Sequence, residues 1–328
     1  MEEKKGEHVF HCRSPIFMCP QCARAESCRD LLYLLEVFRL EDARRREEED
    51  DFPFLARRKP GREPDPRNRF NDLTSGEWLR FTRTVFPSRL PKNLAHNLRR
   101  RHPDYKSPYL MGQLIAFFTM PGDLVLDPFA GTGAALAAAA ILGRESIGFE
   151  INQEWIQLYN TLCTAEGIEK HKIVHGDCRH LIRHIPDDSV DFVILDPPHP
   201  GKEREWFTAA GDDGRRAVEA FADLAGQILP PCRRVLKPGK HLAMFTRNLF
   251  MDGGYIQTAP MLAQRAETAG FVLRGEKIWE NPAEKLRPYG YPHTYVPNIV
   301  HYNVLLFQKR TEDKKKTRSG PPSGKPAR

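Results

Sequence analysis

From about residue 110 to 310, short apolar runs alternate with stretches whose apolar residues recur at helical spacing. "DLVLDPF" from residue 123 predicts a strand that reaches a turn, and "GAALAAAAILG" predicts a buried helix closed by Gly143. "SIGFEI" and "QEWIQLYNTLCTAEG" repeat the strand and helix, and "KIVHGD" with a short helix repeats them again. "VDFVILDPP" is a fourth strand, and a helix over 215–236 leads to a fifth, "KHLAMFT". "APMLAQRAETAG" predicts another helix, and "FVLRGEKIWE" and "NIVHYNVLLFQK" a closing pair of strands. Strand-helix alternation implies an α/β fold with a mostly parallel sheet covered by helices on both faces. Such sheets bind ligands beyond the carboxyl ends of their strands, so chemistry is sought there.

Three strand ends in succession carry groups suited to a nucleoside. In "LDPFAGTGAA", Gly131 and Gly133 lie between strand and helix, where glycine lets backbone approach a ligand closely. The turn lacks both the G-x-G-x-x-G form and a phosphate-loop lysine, which disfavours a nicotinamide or a triphosphate. Glu150 ends the second strand, at the place where an acid meets ribose hydroxyls, although an acid opening the next helix is equally ordinary. Asp177 ends the third strand and is also a good helix N-cap. The fourth strand is odd, because its apolar run drives into Asp196, Pro197, Pro198 and His199. Two prolines remove ladder donors and hold the backbone rigid, so a carboxylate is being presented in a fixed direction.

Outside this region the pattern breaks. Leu31, Leu34, Leu35 and Phe38 predict a short amphipathic helix that runs into charge near residue 50. A basic, proline-containing linker covers 51–69, the regular domain 70–310, and a polar basic tail 311–328, where disorder is expected. No run of 18 apolar residues is present, and the charged N-terminus does not read as a secretory signal. The net charge of +7 suits a polyanionic partner. Residues 53–110 hold fourteen Lys and Arg against five Asp and Glu, densest at Arg99, Arg100 and Arg101. Phosphate contact and a solvated basic loop are both open readings of that cluster. Seven cysteines, an odd number without an export signal, point to a reducing cytoplasm. Cys12, Cys19, Cys22 and Cys28 crowd the first segment, 1–50, with spacing C-x6-C-x2-C-x5-C. The Cys-x2-Cys pair suggests a zinc site, while an iron-sulfur cluster or plain thiols use the same residues.

"DPFAGTGA", "GFEI", "GDCRHL" and "DPPHP" resemble successive motifs of the S-adenosylmethionine-dependent amino-methyltransferases, the N6-adenine and N4-cytosine DNA methylases. The stretch from "RHPDYKSP" into the glycine turn, the segment "NDLTSGEWLRFTRTVF" and the C-terminal "RPYGYPHTYVPNIVHYNVLLFQK" extend the likeness over roughly 70–310. The resemblance implies a Rossmann-like methyltransferase fold with a seven-stranded sheet, and a DNA partner. It implies that the cofactor lies against Asp127, Pro128, Phe129, Gly131, Gly133, Glu150, Asp177 and Cys178, with Lys106, Ser107 and Pro108 closing over its methionine part. It also implies that Asp196 and the Pro197 carbonyl hold the exocyclic amine of an extruded base. His199 stands where the family carries Tyr, Phe or Trp to stack on that base, so here the stacking surface is a smaller, titratable ring. An asparto-prolyl turn also occurs in RNA guanine-N2 methylases, and a degenerate methylase domain that only binds nucleic acid is the further alternative. Asp in the first slot leans toward adenine N6.

Overall fold

A computed structural model describes residues 63–86, 96–99, 101–200, 214–281 and 284–311. The cysteine cluster, the amphipathic helix, most of the basic linker, Arg100 and nearly all of the tail lie outside the described residues.

The sheet has eight strands in the order β1-β9-β10-β6-β5-β2-β3-β4. They are β1 (Val85–Phe86), β2 (Leu124–Asp127), β3 (Glu145–Glu150), β4 (Lys172–His175), β5 (Val190–Leu195), β6 (Leu236–Thr246), β9 (Phe271–Glu280) and β10 (His301–Lys309). A hairpin of β7 (Leu249–Met251) and β8 (Gly254–Ile256) stands apart. Strand β10 is antiparallel to both of its neighbours, and the other pairings in the sheet are parallel. Seven of these strands are the expected ones. The eighth, two-residue β1, was not foreseen and extends the edge beside β9. The helices are α1 (Ser75–Phe81), α2 (His96–Arg99), α3 (Pro108–Phe118), α4 (Ala134–Ile141), α5 (Gln153–Glu166), α6 (Cys178–Leu181), α7 (Gly214–Val235) and α8 (Thr258–Thr268).

Period-two alternation divides the core between the two faces. Leu126, Val193, Leu195, Leu242 and Met244 pack on one side with Phe221, Ile228 and Leu229 of α7 and Leu262 of α8. Val125, Phe192, Ile194, Ala243 and Phe245 pack on the other with α3 and the alanines of α4. All six residues of β5 are buried. Asp191, its one acid, accepts from the Leu124 amide at 3.1 Å and pairs with Lys237 at 2.7 Å, so the charge does not interrupt the strand. Polar groups survive in a core strand when they are satisfied in this way.

The strand order reverses at β2, which pairs with β3 on one side and β5 on the other. A crevice forms outside the carboxyl ends of strands at such a switch point. Gly133 starts α4 at φ 71°, and a Cβ there would sit 2.0 Å from the Tyr159 ring. Gly143 just past α4 has φ 68° with open space around it. Gly143→Ala is therefore expected to cost about 1 kcal/mol from backbone strain alone. Gly133→Ala should cost clearly more, about 3 kcal/mol, because ring overlap adds to the same strain. Denaturant unfolding of the two variants checks the difference.

Candidate active site

A cleft of about 1130 Å³ opens at the carboxyl edge of the sheet, walled by the ends of β2, β3 and β4, the turn after β5, and the segment entering α3. Its glycine turn is tied to β3 through Glu150, whose Oε2 accepts from the Gly131 amide at 2.7 Å and Oε1 from the Asn152 amide at 2.8 Å. Gly131 is at φ 51°, and a Cβ on it would reach within 3.4 Å of the His102 ring. A carboxylate offers about four acceptor positions. Glu150 therefore keeps acceptor capacity for a ligand's hydroxyls while it shapes the turn. Burial raises its pKa, and the backbone donors work against that rise.

Asp127 at the end of β2 is buried and accepts from the Phe129 amide at 3.0 Å. Burial pushes its pKa up to about 8, and the Phe129 amide works against that rise. Asp177 caps α6 through the Arg179 amide at 2.8 Å and pairs with the Arg179 guanidinium at 2.6 Å, which holds its carboxyl below the ordinary range. It thus performs the cap role and lines the cleft as well. Cys178 beside it is pushed up to about 12 by burial, which leaves an unreactive thiol.

The turn after β5 carries the densest electrostatics. Lys106 Nζ lies 2.8 Å from Asp196 Oδ1 and 2.8 Å from Asp104 Oδ2. It also sits over the Tyr302 ring, 4.5 Å from its centre, and the Tyr302 hydroxyl donates to Asp104. Burial works against charge on all of these groups. For Asp104 the nearby ammonium and the Tyr302 hydroxyl outweigh burial and hold it well below the usual carboxylate range. For Lys106 the two carboxylates outweigh burial and raise its pKa. Asp196 is the exception. Burial exceeds the pull of Lys106, Asp104 repels it, and its pKa stands at about 6. Its side chain keeps 17% of its surface open, against 1% for Lys106 and 5% for Asp104, so Asp196 is the member of the trio that a ligand can reach.

Among the expected residues, Lys106, Asp127, Pro128, Phe129, Gly131, Glu150, Asp177, Cys178, Asp196 and Pro198 line the cleft. Others are placed differently. Ser107 caps α3 by accepting from the Leu110 amide at 3.2 Å, and Pro108 opens that helix, so both are spent on starting α3. Gly133 is packed under Tyr159. Pro197 is buried and is not among the residues that line the cleft. His199 is buried as well, 2% exposed, with Nε2 donating to the Arg247 carbonyl at 2.6 Å and its ring edge-on to Phe221. The expected stacking face is thus turned inward in this structure, and burial lowers its pKa to about 4, which keeps the ring neutral. Arg99 also needs correction. Its side chain is fully buried, 2.6 Å from Glu166 and 3.1 Å from the Thr132 carbonyl, where no nucleic-acid phosphate reaches it. Arg101 is half-buried. Among the described residues no group of three or more His, Cys, Asp or Glu is arranged to hold a metal ion, and the four expected cysteine ligands lie outside them.

Residues not singled out from the sequence complete the site. His102 lies beside Gly131 with its ring 4.9 Å from Trp155, and burial lowers its pKa to about 4. Asp104 stands two residues before Lys106 in "HPDYK", a spacing that could have suggested the pair. Tyr302 in β10 and Arg247 just past β6 lie far along the chain, and no local pattern marks them.

The strand order, the helices on both faces and a cleft at the switch point define a Rossmann-like methyltransferase fold. A family model described as DNA methylase matches residues 37–161. A tRNA (guanine(6)-N2)-methyltransferase of Thermus thermophilus is 30% identical over 163 residues, 49% of this chain and 41% of that protein. The DNA adenine methyltransferase YhdJ of Escherichia coli is 46% identical over 57 residues, 17% of this chain and 19% of its own length. The solved structure of TrmN from Thermus thermophilus is 24% identical with a TM-score of 0.46, covering 65% of this chain and 51% of that one. Over part of its length the chain is thus similar to the N6/N4 DNA methylases. The chain spans less than half the length of the two curated relatives named. The family match ends within α5, so Asp196 and its partners rest on the geometry alone.

Removing the shared cation should be costly. Lys106→Met leaves Asp104 and Asp196 facing each other in the interior, and a loss of about 3 kcal/mol or more is expected. Adding Asp104→Asn should recover part of that loss, because one of the two unpaired acids is then neutral. Equilibrium unfolding of the single and double variants measures both effects.

Proposed function

We propose that this protein transfers a methyl group from S-adenosylmethionine to the exocyclic amine of a base in DNA, with adenine N6 the favoured acceptor. One observation carries the reading. Glu150, Asp177 and the glycine turn, which suit a nucleoside, share a single cleft with a carboxylate held on an Asp-Pro-Pro turn. When bound, the cofactor supplies an activated methyl group on a sulfonium. Glu150, with acceptor capacity to spare, suits its ribose, and the close backbone at Gly131 suits a ligand laid against the turn.

The residues of the chain do the remainder. An exocyclic amine is a poor nucleophile because its lone pair is drawn into the ring. Asp196 accepts one hydrogen bond from that amine, and the Pro197 carbonyl accepts the other, which aims the lone pair out of the ring plane. Lys106 pins Asp196 from behind, at 2.8 Å, so the acceptor is fixed before the substrate arrives. No nucleophilic residue of the protein is needed, in keeping with the raised pKa of Cys178. The free thiols of Cys163, Cys178 and Cys232 accord with a cytoplasmic setting, and no described helix is long and apolar enough to cross a membrane.

A second reading has its own observation. The Thermus relative is named as a tRNA guanine-N2 methyltransferase, as are two archaeal relatives named as tRNA (guanine(10)-N2)-dimethyltransferases, and the same turn could present a guanine amine. Incubation with DNA and with tRNA, then digestion to nucleosides and mass spectrometry, separates the two. N6-methyladenine in the DNA is expected, and N2-methylguanine from tRNA alone would replace the first reading with the second.

Two further outcomes follow from Asp196. Asp196→Ala should lower methyl transfer by about a hundredfold or more with cofactor affinity little changed, because the lost acceptor matters most as the nitrogen becomes positive. The rate should also fall on the acid side. Its folded pKa of about 6 lies above the ordinary 3.8, so the accepting carboxylate is lost as pH drops through 6 rather than through 4. Single-turnover rates across pH check the position of that limb.

A further inference from the structure

The chain between Glu280 and His301 leaves the carboxyl end of β9 and returns into β10. Register places both ends beside the cleft edge, since His301 pairs with Glu280 and Asn303 with Thr246 at the end of β6. Strand β6 in turn pairs Met244 with Leu195, the residue before Asp196. This connection therefore hangs over the same edge as the proposed reaction centre.

Its surface is unusual. Leu286, Tyr289, Tyr291 and Tyr295 are 77%, 52%, 81% and 84% exposed, four large apolar side chains within ten residues. Scattered exposed apolar residues need no explanation, but a cluster on one loop does. The loop is also well fastened. The side chain of Asn298 accepts from the Arg287 amide and donates to the Arg287 carbonyl, both at 2.9 Å. The Gly290 carbonyl accepts from the His293 and Thr294 amides at 2.7 and 2.8 Å. Arg247 binds both ends, pairing with Glu284 at 2.6 Å and donating to the Ile299 carbonyl. The tyrosines are thus held outward on a preformed scaffold. The charge has one sign. Lys285 and Arg287 are exposed, no acid occurs from 285 to 300, and Glu284 is taken by Arg247.

Exposed aromatic rings interleaved with cations, on a fixed loop at the sheet edge where the proposed reaction centre lies, match what unpaired bases recognise: a π-face to stack on and a cation for the phosphate. We propose that the 284–299 loop docks the DNA strand carrying the target base, with Tyr289, Tyr291 and Tyr295 stacking on bases unpaired around it and Lys285 and Arg287 meeting the backbone. The assignment rests on the reading of the chain as a DNA amino-methyltransferase. The dock and the reaction centre share an anchor, because the Arg247 that ties down the loop also offers its carbonyl to His199.

The test uses the full chain with its three tyrosines changed together to Ser and, separately, to Phe. Binding is read by fluorescence anisotropy on a labelled single-stranded DNA, its duplex and the RNA of the same sequence, with S-adenosylhomocysteine affinity and thermal unfolding measured alongside. The Ser variant should bind single-stranded DNA about ten- to a hundredfold more weakly, with cofactor-product affinity and melting unchanged, and the Phe variant should bind like the wild type. Should the triple variant melt early, Tyr291→Ser alone, at an exposed position, is expected to lose about threefold or more in binding. Equal binding by the folded Ser variant would overturn the docking surface while leaving the methyltransferase reading intact. A loss seen with RNA and not with DNA would also overturn it. A wild-type protein that binds no DNA at all would remove the reading beneath it.

Discussion

The site depends on one ammonium group. Lys106 is almost fully buried, and a lone buried charge of that kind is among the most expensive things a protein can hold. It is tolerated because three parts of the chain converge on it: Asp104 from the same segment, Asp196 from the turn after β5, and the face of Tyr302 in β10. The convergence works in both directions. It lets the cation exist, and it locks the entry to α3, the Asp-Pro-Pro turn and the antiparallel strand into one relative position. Asp104 is itself held by the Tyr302 hydroxyl, so the cluster has no slack through which Asp196 could swing. Prolines on the far side of Asp196 complete the constraint. A carboxylate anchored by an ion pair at one oxygen still presents the other, and that is the geometry an orienting acceptor needs.

The fold was largely legible because its signals are local. Alternation along β2, β5 and β6, the glycine that ends α4 and the amphipathic faces of α5 and α8 are all read from neighbours in sequence. The elements that escaped were those whose local pattern is weak. Strand β1 is two residues long, the hairpin of β7 and β8 has three residues a side, and α3 is buried on nearly every face, so it lacks the periodic polar side that marks an amphipathic helix. The site was legible in part for the same reason. Strand-end residues announce themselves through the motif that surrounds them, as Glu150 and Asp196 do. Tyr302 and Arg247 could not be found that way, since each is one polar residue in an ordinary strand or just beyond one, and its meaning comes from a partner roughly 200 or 50 residues away. Arg99 shows the opposite error. Three adjacent arginines look like a surface, yet the short helix α2 turns Arg99 inward onto Glu166 of α5, an ion pair that only the packing of α2 on α5 creates.

His199 links these observations. The position follows a rigid Asp-Pro-Pro, and its ring is directed by a backbone acceptor at Arg247 rather than toward the cleft. A carbonyl can only accept, so Nε2 carries the proton and Nδ1 is left with its lone pair, the neutral tautomer that the lowered pKa also favours. An imidazole buried and donating in this way adds a second tie on the turn besides the Lys106 ion pair. It ties the turn to the loop beyond β9 as well, because the same Arg247 grips both ends of that loop. If the ring no longer supplies the stacking surface, a base must find it elsewhere, and the exposed tyrosines proposed above as a dock offer aromatic faces on the same edge of the sheet.

The electrostatics also bear on what kind of step Asp196 suits. In the proposed reaction a proton must leave the amine, and the timing follows from base strength. An aromatic amine holds its protons far more tightly than a carboxylate with a pKa of about 6 can compete for. That value already includes the pull of Lys106, which works to lower it. Abstraction before methyl transfer is therefore unfavourable, and raising the basicity of Asp196 is not what the cluster does. Once the nitrogen has bonded to carbon it is cationic and strongly acidic, and the proton then falls readily to Asp196 or to water. The arrangement thus favours geometry over basicity: a carboxylate kept ionised by one cation, fixed by two prolines, and open on the one side where the developing positive charge appears.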